Sequence, residues 1–487
     1  MKSYRGCGII AFLSDIIHKD ADAITDSGTD QDIKVMRLDL EGSEIIKTVP
    51  ELLAPAGDSD SLLAAVNNGA DGVYIGASAF NARTKARNFT FDEMIEAIDH
   101  AHARSVKVYL ALNTLLTDNE IGEAADLAVE AWKYGVDAVI VQDMGLARRL
   151  KGAVPEIVLH ASTQASIYNI SALKACAEMG FARVILPREL SLADVRRMTA
   201  AAHDLQMGTE VFIHGAMCVC YSGQCLMSGA LGGRSGNRGE CAQPCRLEYD
   251  LESDGKLTGK AFPRLSIKDL AAAQHLEELA KAGVDSFKIE GRMRNADYVG
   301  IVTGVYRKIL DEGPSAGTVD DLLLAFNRGG RFSDHYLRSE KSDSMMTGSE
   351  TGSHGIYIGD VTAVNARLGI VAYIPKDNTG MPGKGDVISV RRAGTVGEIC
   401  SAPISGPVIS PGEVRIKGFH PEVIETIRSG DRVYRMSDAS RIREASGADR
   451  GKTPVKGILT SDSNRICIEW TVSDGPSSGL KSASCIA

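Results

Sequence analysis

From Glu51 onward, short apolar runs alternate with amphipathic stretches, and this rhythm restricts the possible folds more than any other feature. The eight apolar runs cover residues 51–55, 72–76, 107–113, 138–143, 157–163, 183–189, 210–215 and 286–292. Continuous apolar runs are typical of parallel strands buried on both faces, and several of the stretches between them end in glycine, as crossover helices do. Eight such units in roughly 240 residues predict the α/β class and a TIM-like (β/α)8 barrel.

A doubly wound sheet is the alternative arrangement of the same units. Dinucleotide-binding sheets of that kind carry a GxGxxG turn after the first strand. Here that turn reads APAGDSD over residues 54–60. A dinucleotide site is therefore not supported, and we favour the barrel.

The residue composition changes along the chain and divides it into segments. Residues 351–455 are rich in glycine and short β-branched runs, which predicts a small all-β domain. The expected segments are a loosely ordered extension (1–47), the barrel (48–315) with a cysteine-rich loop after its seventh strand (215–262), a connecting segment (316–350), a small β-barrel domain (351–455) and a C-terminal tail (456–487).

The composition is that of a globular protein and limits its partners. Of 487 residues, 44% are hydrophobic and 24% charged, which is enough chain for two or three domains. No apolar run approaches a membrane span, and Asp15 interrupts the short apolar run near the start, so we expect a cytoplasmic protein with no membrane partner. The net charge of −9 argues against non-specific coating of nucleic acid, but not against an RNA-modifying enzyme with a local basic cleft.

Five of the ten cysteines lie within residues 210–246, at Cys218, Cys220, Cys225, Cys241 and Cys245. In a reducing compartment such clusters more often hold metal than form disulfides. Cys241 and Cys245 have a ligand spacing found in zinc sites, whereas the C-x-C-x4-C half does not resemble a zinc knuckle. The glycine-rich loop has the composition to fold around a larger object, such as an iron–sulfur cluster held by four thiolates. The spacing alone leaves iron–sulfur and zinc open.

A thiol protease is the rival explanation of the same segment. His214 precedes Cys218 by four residues, and a Cys–His pair is the minimum for nucleophilic attack. A single nucleophile leaves the other cysteines of the segment unexplained, whereas metal ligation explains four of them with one object.

Polar side chains follow the predicted strands, at the end where parallel barrels carry their chemistry. The candidates for substrate binding are Asn81, Arg83, Asn113, Gln164 and Arg292, and the candidates for catalysis are Arg188, His214 and Glu290. Arginine holds phosphates or carboxylates through paired hydrogen bonds, and His214 or Glu290 could move protons. For any one of these residues a loop hydrogen bond is the simpler explanation, so the stronger prediction is their convergence on one face.

Long motifs run collinearly through roughly residues 50–340. They include ELLAPAGDSDSLLAAVNNGADGVYIG, FNARTKARNF, AHARSVKVYLALNTLL, RVILPRELSL, EVFIHGAMCVCYSGQCLMS, NRGECAQPCR, RLSIKDL and SFKIEGRMRNADYV. Together they resemble peptidase family U-32, the collagenase-like peptidase family. The resemblance implies hydroxylation of RNA or of a metabolite without molecular oxygen as oxidant. Two of the branches that it implies form 5-hydroxyuridine at the tRNA wobble position or 5-hydroxycytidine in 23S ribosomal RNA, and both depend on prephenate. A further branch hydroxylates ubiquinone precursors.

The same resemblance implies a 4Fe–4S cluster held by four cysteines. The pattern C-x6-C-x15-C-x3-C, which looks like that of the tRNA branch, falls on Cys218, Cys225, Cys241 and Cys245, and it leaves Cys220 as the spare. Some relatives place a ligand directly after a KDL motif, but alanine occupies that position here. The AFNRGGRF segment and the β-rich region look more like the ribosomal RNA branch, so the choice of branch stays open.

The sequence therefore predicts an iron–sulfur-dependent enzyme of the U-32 type. We expect it to hydroxylate a pyrimidine in tRNA or 23S rRNA, with a prephenate-like small molecule as a further partner. The two alternatives are a collagenase-like peptidase and an RNA-binding protein with structural zinc. The sequence indicates neither the modified base nor the oligomeric state.

Overall fold

A computed structural model of the chain describes residues 49–83, 86–314, 319–338, 345–347, 351–365, 369–373, 381–393, 398–405, 414–417 and 419–451, and the backbone alone of 455–461, 466–472 and 481–482. The predicted extension over residues 1–47 lies outside these ranges. Within them, no helix is both long and apolar enough to cross a bilayer.

Eight parallel strands close into a barrel, which confirms the predicted TIM-like fold. The strands are β1 (Glu51–Pro55), β2 (Gly72–Gly76), β3 (Lys107–Leu112), β4 (Ala138–Val141), β5 (Leu159–Ala161), β6 (Arg183–Ile185), β7 (Gly208–Gly215) and β8 (Ser286–Ile289). Each pairs in parallel with the next, and β8 pairs with both β7 and β1, which closes the sheet. Each strand begins within two residues of the start of a predicted apolar run.

Helices connect most of the consecutive strands and continue after β8. They are α1 (Ser59–Asn67), α2 (Phe91–His102), α3 (Ile121–Lys133), α4 (Met144–Ala153), α5 (Ile170–Glu178), α6 (Leu192–Asp204), α7 (Met227–Gly232), α8 (Leu276–Lys281), α9 (Ala296–Glu312) and α10 (Val319–Ala325). Side chains that accept hydrogen bonds from the first turn fix several starts: Asp58 caps α1, Ser191 caps α6 and Asn295 caps α9. These caps end the loops that follow the strands, and those loops carry the site.

Charged side chains lie inside the barrel among the apolar core. The Lys288 Nζ is 2.7 Å from an oxygen of Glu210, a fully buried residue, and Arg183 contacts the same carboxylate at 3.4 Å. Arg183 also lies 2.6 Å from Glu51, which accepts a hydrogen bond from the Tyr109 hydroxyl at 2.7 Å. Glu51, Arg183, Glu210 and Lys288 thus form a connected series of ion pairs, here called the ionic chain, which the sequence analysis did not predict.

The segment after β7 carries the cysteines and returns to the barrel. It contains α7, a hairpin of the strands Tyr249–Ser253 and Lys256–Phe262, and the short strand Leu270–Ala271. The short strand pairs antiparallel with the end of β7 at Gly215, so the segment ends where it began. Gly215 has a φ of +106°, and a Cβ there would lie 2.4 Å from the Glu290 carbonyl oxygen, so only glycine fits where the chain leaves β7.

A curled antiparallel sheet follows the barrel, in agreement with the predicted all-β class of this region. Its strands are β9 (Ile356–Asn365), β10 (Gly369–Tyr373), β11 (Val387–Arg391), β12 (Glu398–Pro403), β13 (Val414–Ile416) and β14 (Arg432–Arg435), in the order β12-β11-β14-β9-β10-β13. The two edges approach each other, since the Ser405 amide after β12 donates to the Lys417 carbonyl after β13 at 3.1 Å. Three further strands, β15 (Val455–Ser461), β16 (Ile466–Val472) and β17 (Lys481–Ser482), form a separate antiparallel sheet.

Helices α11 (Pro421–Ile424) and α12 (Ala439–Gly447) accompany the curled sheet, and α12 attaches it to the barrel. The Asn68 amide at the end of α1 donates to the Ala445 carbonyl of α12 at 3.0 Å. Gly300 of α9 packs so closely that a Cβ there would lie 3.3 Å from that of Ala445. The barrel and the curled sheet are therefore joined through side-chain and backbone contacts at α1 and α9.

The ionic chain leads to a prediction about stability. Glu210→Gln should lower the free energy of unfolding by about 3–5 kcal/mol, because it leaves Lys288 buried without its carboxylate partner. Urea unfolding followed by circular dichroism measures the change. The control is Glu277→Gln, which removes one member of an exposed pair with Lys281 and should cost less than ~0.5 kcal/mol. A Glu210→Gln protein as stable as the control would contradict the prediction.

Candidate functional site

A cavity of about 330 Å³ lies at the carboxyl end of the barrel strands. Part of its wall consists of the ends of β2, β3, β5, β6 and β8 and the turns that follow them. The rest of the wall is the cysteine-rich segment from Cys218 to Cys245. Strand ends and loop thus enclose one shared space.

Most of the residues that the sequence nominated line this cavity. They are Arg83, Asn113, Gln164, Arg188, Glu290 and Arg292 from the barrel, and Cys218, Cys225, Cys241 and Cys245 from the loop. Cys220, expected to be the spare cysteine, lines the same cavity. The described residues therefore do not distinguish it by position from the other four.

Glu290 is held between arginines from neighbouring strand ends. Its two carboxylate oxygens lie 3.3 Å from Arg83 Nη2 and 2.8 Å from Arg188 Nη2. Burial by itself raises the pKa of Glu290, but the surrounding arginine charges outweigh this effect and hold the pKa at about 2. The carboxylate is therefore ionised at neutral pH.

Asn81 lies next to the cavity wall and orients one of the arginines. Its Oδ1 accepts hydrogen bonds from Arg292 Nη2 at 2.6 Å and from the Arg83 amide at 2.8 Å. Its Nδ2 donates to the Ala77 carbonyl at 2.6 Å. Burial lowers the pKa of Arg292 to about 10, which still leaves the guanidinium charged at neutral pH. Asn81 thus holds the guanidinium of Arg292 and the backbone of Arg83 without lining the cavity itself.

Arg188 is fixed by a ring and a carboxylate and keeps one donor unused. Its guanidinium carbon lies 3.9 Å from the centre of the Phe212 ring, and its Nη2 pairs with Glu290. Its buried Nε has no hydrogen-bond partner among the described residues. A buried N–H without a partner is costly, so this donor favours a ligand with an acceptor oxygen.

His214 does not join the cavity, although it ends the strand that leads into the cysteine-rich segment. Its Nδ1 lies 3.2 Å from the Tyr306 hydroxyl of α9, and its ring packs edge-on against Tyr306 and Phe332. Burial, with a further contribution from Arg294, lowers the pKa of His214 to about 3. The ring is therefore neutral at pH 7, and its position does not support the predicted role in proton transfer.

Lys288 is a wall residue that the sequence analysis missed. It lines the cavity from the interior of β8, where its Nζ lies 4.2 Å from the centre of the Tyr74 ring. Burial lowers its pKa, while the ion pair with Glu210 opposes that shift. The sequence does contain a signal for Lys288: it lies within the apolar run SFKIEGR, where a charged residue needs a buried partner.

The cavity wall carries more positive than negative charge. Arg83, Arg188, Arg292 and Lys288 contribute four positive groups, whereas Glu290 and the Glu210 partner of Lys288 contribute two negative ones. The difference, four minus two, leaves two positive charges beside a partly enclosed space. Such a wall is suited to a small anion with two negative charges.

The cysteines of the loop are free thiols and have hydrogen-bond donors near them. The Gln243 amide donates to Cys241 Sγ at 3.4 Å, and the Ser228 hydroxyl is 3.9 Å from the same sulfur. Burial raises the pKa of Cys245, and burial together with the neighbouring Cys225 raises that of Cys220.

Arg246 and Glu189 attach the cysteine-rich loop to the barrel. Arg246 donates to the Met217 carbonyl at 2.8 Å and to the Ile267 carbonyl at 2.5 Å, which ties the residue before Cys218 to the residue after Cys245. Glu189, after β6, accepts hydrogen bonds from the Ser222 amide and hydroxyl at 2.8 and 2.9 Å. The loop is therefore positioned by partly buried contacts close to the cysteines.

The spacing of the thiols bears on what they can hold. Thiolates on one zinc ion lie about 3.8 Å apart, because each Zn–S bond is ~2.3 Å long in a tetrahedron. In the described ranges, no group of three or more His, Cys, Asp or Glu side chains is arranged to hold a metal ion. The donor set, thiols that line one cavity with an N–H and an O–H group beside Cys241, has the chemistry of an iron–sulfur site, although the sulfur atoms do not converge on a single point.

Comparison with known proteins identifies relatives of the barrel. The model of a family described as Peptidase family U32 matches residues 57–347. The 23S rRNA 5-hydroxycytidine C2501 synthase of Escherichia coli (strain K12) is 40% identical over 309 residues, which are 60% of this chain and 46% of that protein.

Two further relatives match slightly more than half of the chain. The tRNA hydroxylation protein P1 of Bacillus subtilis (strain 168) is 36% identical over 279 residues, 56% of this chain and 65% of that protein. An uncharacterized protease of Methanocaldococcus jannaschii is 40% identical over 271 residues, 54% of this chain and 65% of that protein. The chain thus spans less than two thirds of the length of each of these three relatives.

The low pKa of Glu290 leads to a prediction about acid stability. At pH 7 Glu290→Gln should melt at a lower temperature than wild type, because the arginines lose their counter-charge. A depressed pKa contributes stability above the unfolded value, about 4.3, and this stability is lost as pH falls toward the folded value of about 2. The melting temperatures of the two proteins should therefore converge between pH 5 and about 2.

Thermal unfolding across this pH range measures the difference. The control is Glu123→Gln on the exposed side of α3, which should match wild type at every pH. If the difference in melting temperature between wild type and Glu290→Gln stayed constant down to pH 2.5, the arginines would not be lowering the pKa of Glu290.

Proposed function

The chain belongs to peptidase family U32, as its motifs predicted, and on this premise we propose that it is an iron–sulfur-dependent RNA hydroxylase. The proposed reaction forms a 5-hydroxypyrimidine in tRNA or 23S rRNA by an oxygen-independent, prephenate-linked route. The observation that carries the proposal is one cavity in which the thiols of the loop face the arginines of the barrel. Two of the relatives described above are named for hydroxylation of tRNA or for synthesis of 5-hydroxycytidine in rRNA.

The proposed cofactor is a 4Fe–4S cluster on Cys218, Cys225, Cys241 and Cys245. Such a cluster, when bound, supplies one-electron transfer. The chain's own contribution is to hold the loop in place through Arg246 and Glu189 and to direct the Gln243 amide at one of the sulfurs. Hydrogen bonds of this kind tune the potential of a thiolate-bound centre.

The arginines of the barrel wall are the proposed site for the small-molecule partner. Prephenate carries two carboxylates, and the wall has two positive charges in excess of its own acids. Arg188 has a buried N–H without a partner among the described residues, so a carboxylate there would satisfy it. Because Arg83 and Arg188 are already held by Glu290, the site is oriented before the anion arrives.

Glu290, rather than His214, is the proposed charged side chain at the reacting centre. Its carboxylate borders the cavity and is ionised at neutral pH, whereas His214 is buried against α9. A carboxylate whose pKa is held at about 2 is too weak a base to take up a proton efficiently at neutral pH. Its proposed contribution is therefore to hold Arg83 and Arg188 in position for the bound anion.

The size of the cavity bears on how RNA would enter. A space of about 330 Å³ suits one base or one small anion and is far too small for folded RNA. The target base must therefore leave its stack and turn into the barrel mouth. An RNA substrate also implies action in the cytoplasm.

The peptidase and zinc alternatives have less support from the geometry. A thiol peptidase needs a Cys–His pair, but His214 Nδ1 contacts Tyr306, and its Nε2 has no hydrogen-bond partner among the described residues. A structural zinc site needs convergent ligands, which the described ranges do not contain. The relative named as a protease is itself uncharacterized.

The cofactor proposal predicts a brown protein after anaerobic purification, with about four irons and four sulfides per chain. The double variant Cys218→Ser/Cys225→Ser should lose the iron and the visible absorbance, because two of the four ligands are gone. Metal analysis and electron paramagnetic resonance of the reduced protein measure this. Cys220→Ser is the matched control and should keep the full iron content. A colourless wild-type protein that contains zinc would refute the cluster.

The substrate proposal predicts a missing nucleoside in a strain that lacks this chain. Mass spectrometry of digested tRNA and ribosomal RNA should show the loss of 5-hydroxyuridine derivatives or of 5-hydroxycytidine, and the class lost identifies the branch. Re-expression of the wild-type chain should restore the nucleoside, and Glu290→Gln should restore markedly less. Unchanged levels of both nucleosides in the deletion strain would refute the substrate class.

A further inference from the structure

A second cavity, of about 660 Å³, lies between the segment that connects the barrel to the curled sheet and the curled sheet itself, and we call it the junction groove. The residues that line it come from the loop at 329–331, from β9 and β14, and from the turns beside them. Its side chains include Arg331, His354, Tyr357, Arg432 and Tyr434. The proposed function assigns nothing to this groove.

Aromatic rings line the sheet side of the junction groove. Tyr357 of β9 and Tyr434 of β14 are directly paired across the two strands, with ring centroids 5.7 Å apart. His354 continues the row at 5.1 Å from Tyr434. Tyr434 is buried, whereas Tyr357 has 44% of its surface exposed, so one ring of the row is open to a ligand.

The orientation of the Tyr357 ring is fixed at its polar end. Burial and the nearby Asp360 side chain together raise the pKa of Tyr357 to about 12, which places the hydroxyl beside that carboxylate. Arg432, opposite Asp360 on the neighbouring strand, has its guanidinium carbon 5.9 Å from the centre of the Tyr357 ring. The ring is therefore held before any ligand binds, which lowers the entropy cost of stacking on it.

The charge of the junction groove favours an anion. Arg331 and Arg432 are exposed in its wall, and Asp360 is the one acidic residue among the lining residues that are described. Exposed arginines beside an exposed aromatic ring are the combination that binds the phosphates and bases of single-stranded nucleic acid.

The shape of the groove depends on a glycine. Gly330 has a φ of +78°, and a Cβ there would lie 2.9 Å from His354 Cδ2. A larger residue would push the loop that carries Arg331 away from the sheet. The loop and the aromatic row are therefore packed together at close range.

The junction groove lies at the same end of the barrel as the thiol-lined cavity. Ser333 bridges to Leu270, and Leu270 pairs with Gly215, the residue at which β7 gives way to the cysteine-rich segment. Arg331 is two residues before Ser333. The loop that carries Arg331 is thus linked to the carboxyl end of β7 through Ser333 and Leu270, and the cysteine-rich segment leaves β7 at the same end.

We infer that the junction groove binds an unpaired stretch of the RNA substrate, with one base stacked on Tyr357 and backbone phosphates held by Arg331 and Arg432. The inference deepens the proposed function and rests on it, because it assumes that the ligand of the barrel mouth is RNA. It adds a second contact outside the reaction cavity. Stacking accepts any base, so the groove holds the strand without reading its sequence.

The test measures binding of a fluorescein-labelled, unstructured RNA to the full chain by anisotropy. Tyr357→Ala should weaken binding by about 5- to 150-fold, the range for one stacked base. Tyr357→Phe keeps the stacking ring but loses the contact of the hydroxyl with Asp360, so its affinity should stay much closer to wild type than that of Tyr357→Ala. Tyr373→Ala is the matched control, since this tyrosine of the same sheet has 52% of its surface exposed but does not line the groove.

The arginines are tested by the salt dependence of the same binding. Arg331→Ala/Arg432→Ala should lower the slope of log affinity against log salt by about 1.4, the value for two contacts to single-stranded phosphates. The control double variant Arg148→Ala/Arg149→Ala removes two exposed charges from α4 and should leave the slope unchanged. An unchanged slope in the groove variant would overturn the phosphate contacts.

The groove inference and the proposed function fail in different experiments. Equal affinity of Tyr357→Ala and wild type would overturn the inference, even if the deletion strain lacks a hydroxylated nucleoside. Loss of affinity in Tyr357→Ala alone, with unchanged nucleosides in the deletion strain, would support the groove and refute the hydroxylase. If heparin displaced the RNA equally well from wild type and from every variant, general charge attraction would explain the binding. This result would overturn the stacked base.

Discussion

The placement of charge inside a closed barrel governs both the fold and the site. Strand β8 completes the barrel between β7 and β1, and it carries Lys288 into the interior, where Glu210 of β7 neutralises it at 2.7 Å. The ionic chain continues through Arg183 to Glu51 on β1. Because unpaired buried charges are strongly unfavourable, the four strands β1, β6, β7 and β8 must meet in this register for the barrel to be stable.

The same closure leaves a surplus of positive charge at the barrel mouth. Glu290 follows β8 directly and forms one ion pair each with Arg83 and Arg188. Asn81 holds Arg292 through a hydrogen bond but carries no charge of its own. The wall is thus rigid before an anion binds. The thiols of the loop face this wall because Arg246 and Glu189 hold the loop to the barrel beside them. A redox cofactor on the loop and an anion on the wall would share one space of about 330 Å³.

The barrel could be predicted from the sequence because eight buried parallel strands leave eight apolar runs, and the runs match the strands closely. Arg188 and Glu290 were found for a similar reason, since parallel strands bring their carboxyl ends together. Lys288 was missed because a single charge inside an apolar run does not alter the pattern. His214 was nominated because it lies at the end of the seventh apolar run, but position along the chain does not show which way a side chain faces, and its ring packs against Tyr306 and Phe332.

The size of the barrel cavity and the net charge of the chain favour two separate sites for substrate recognition. The barrel cavity suits one base or one small anion and has little room for the flanking strand, so it cannot supply most of the affinity for a polynucleotide. The net charge of −9 makes general electrostatic attraction weak, so contacts with phosphate must be local. The junction groove offers such contacts at the same end of the barrel, with Tyr357 as a stacking surface that tolerates any base. On this view the groove holds the strand, and the choice of the reacting base is made only where Glu290, the arginines and the thiols meet.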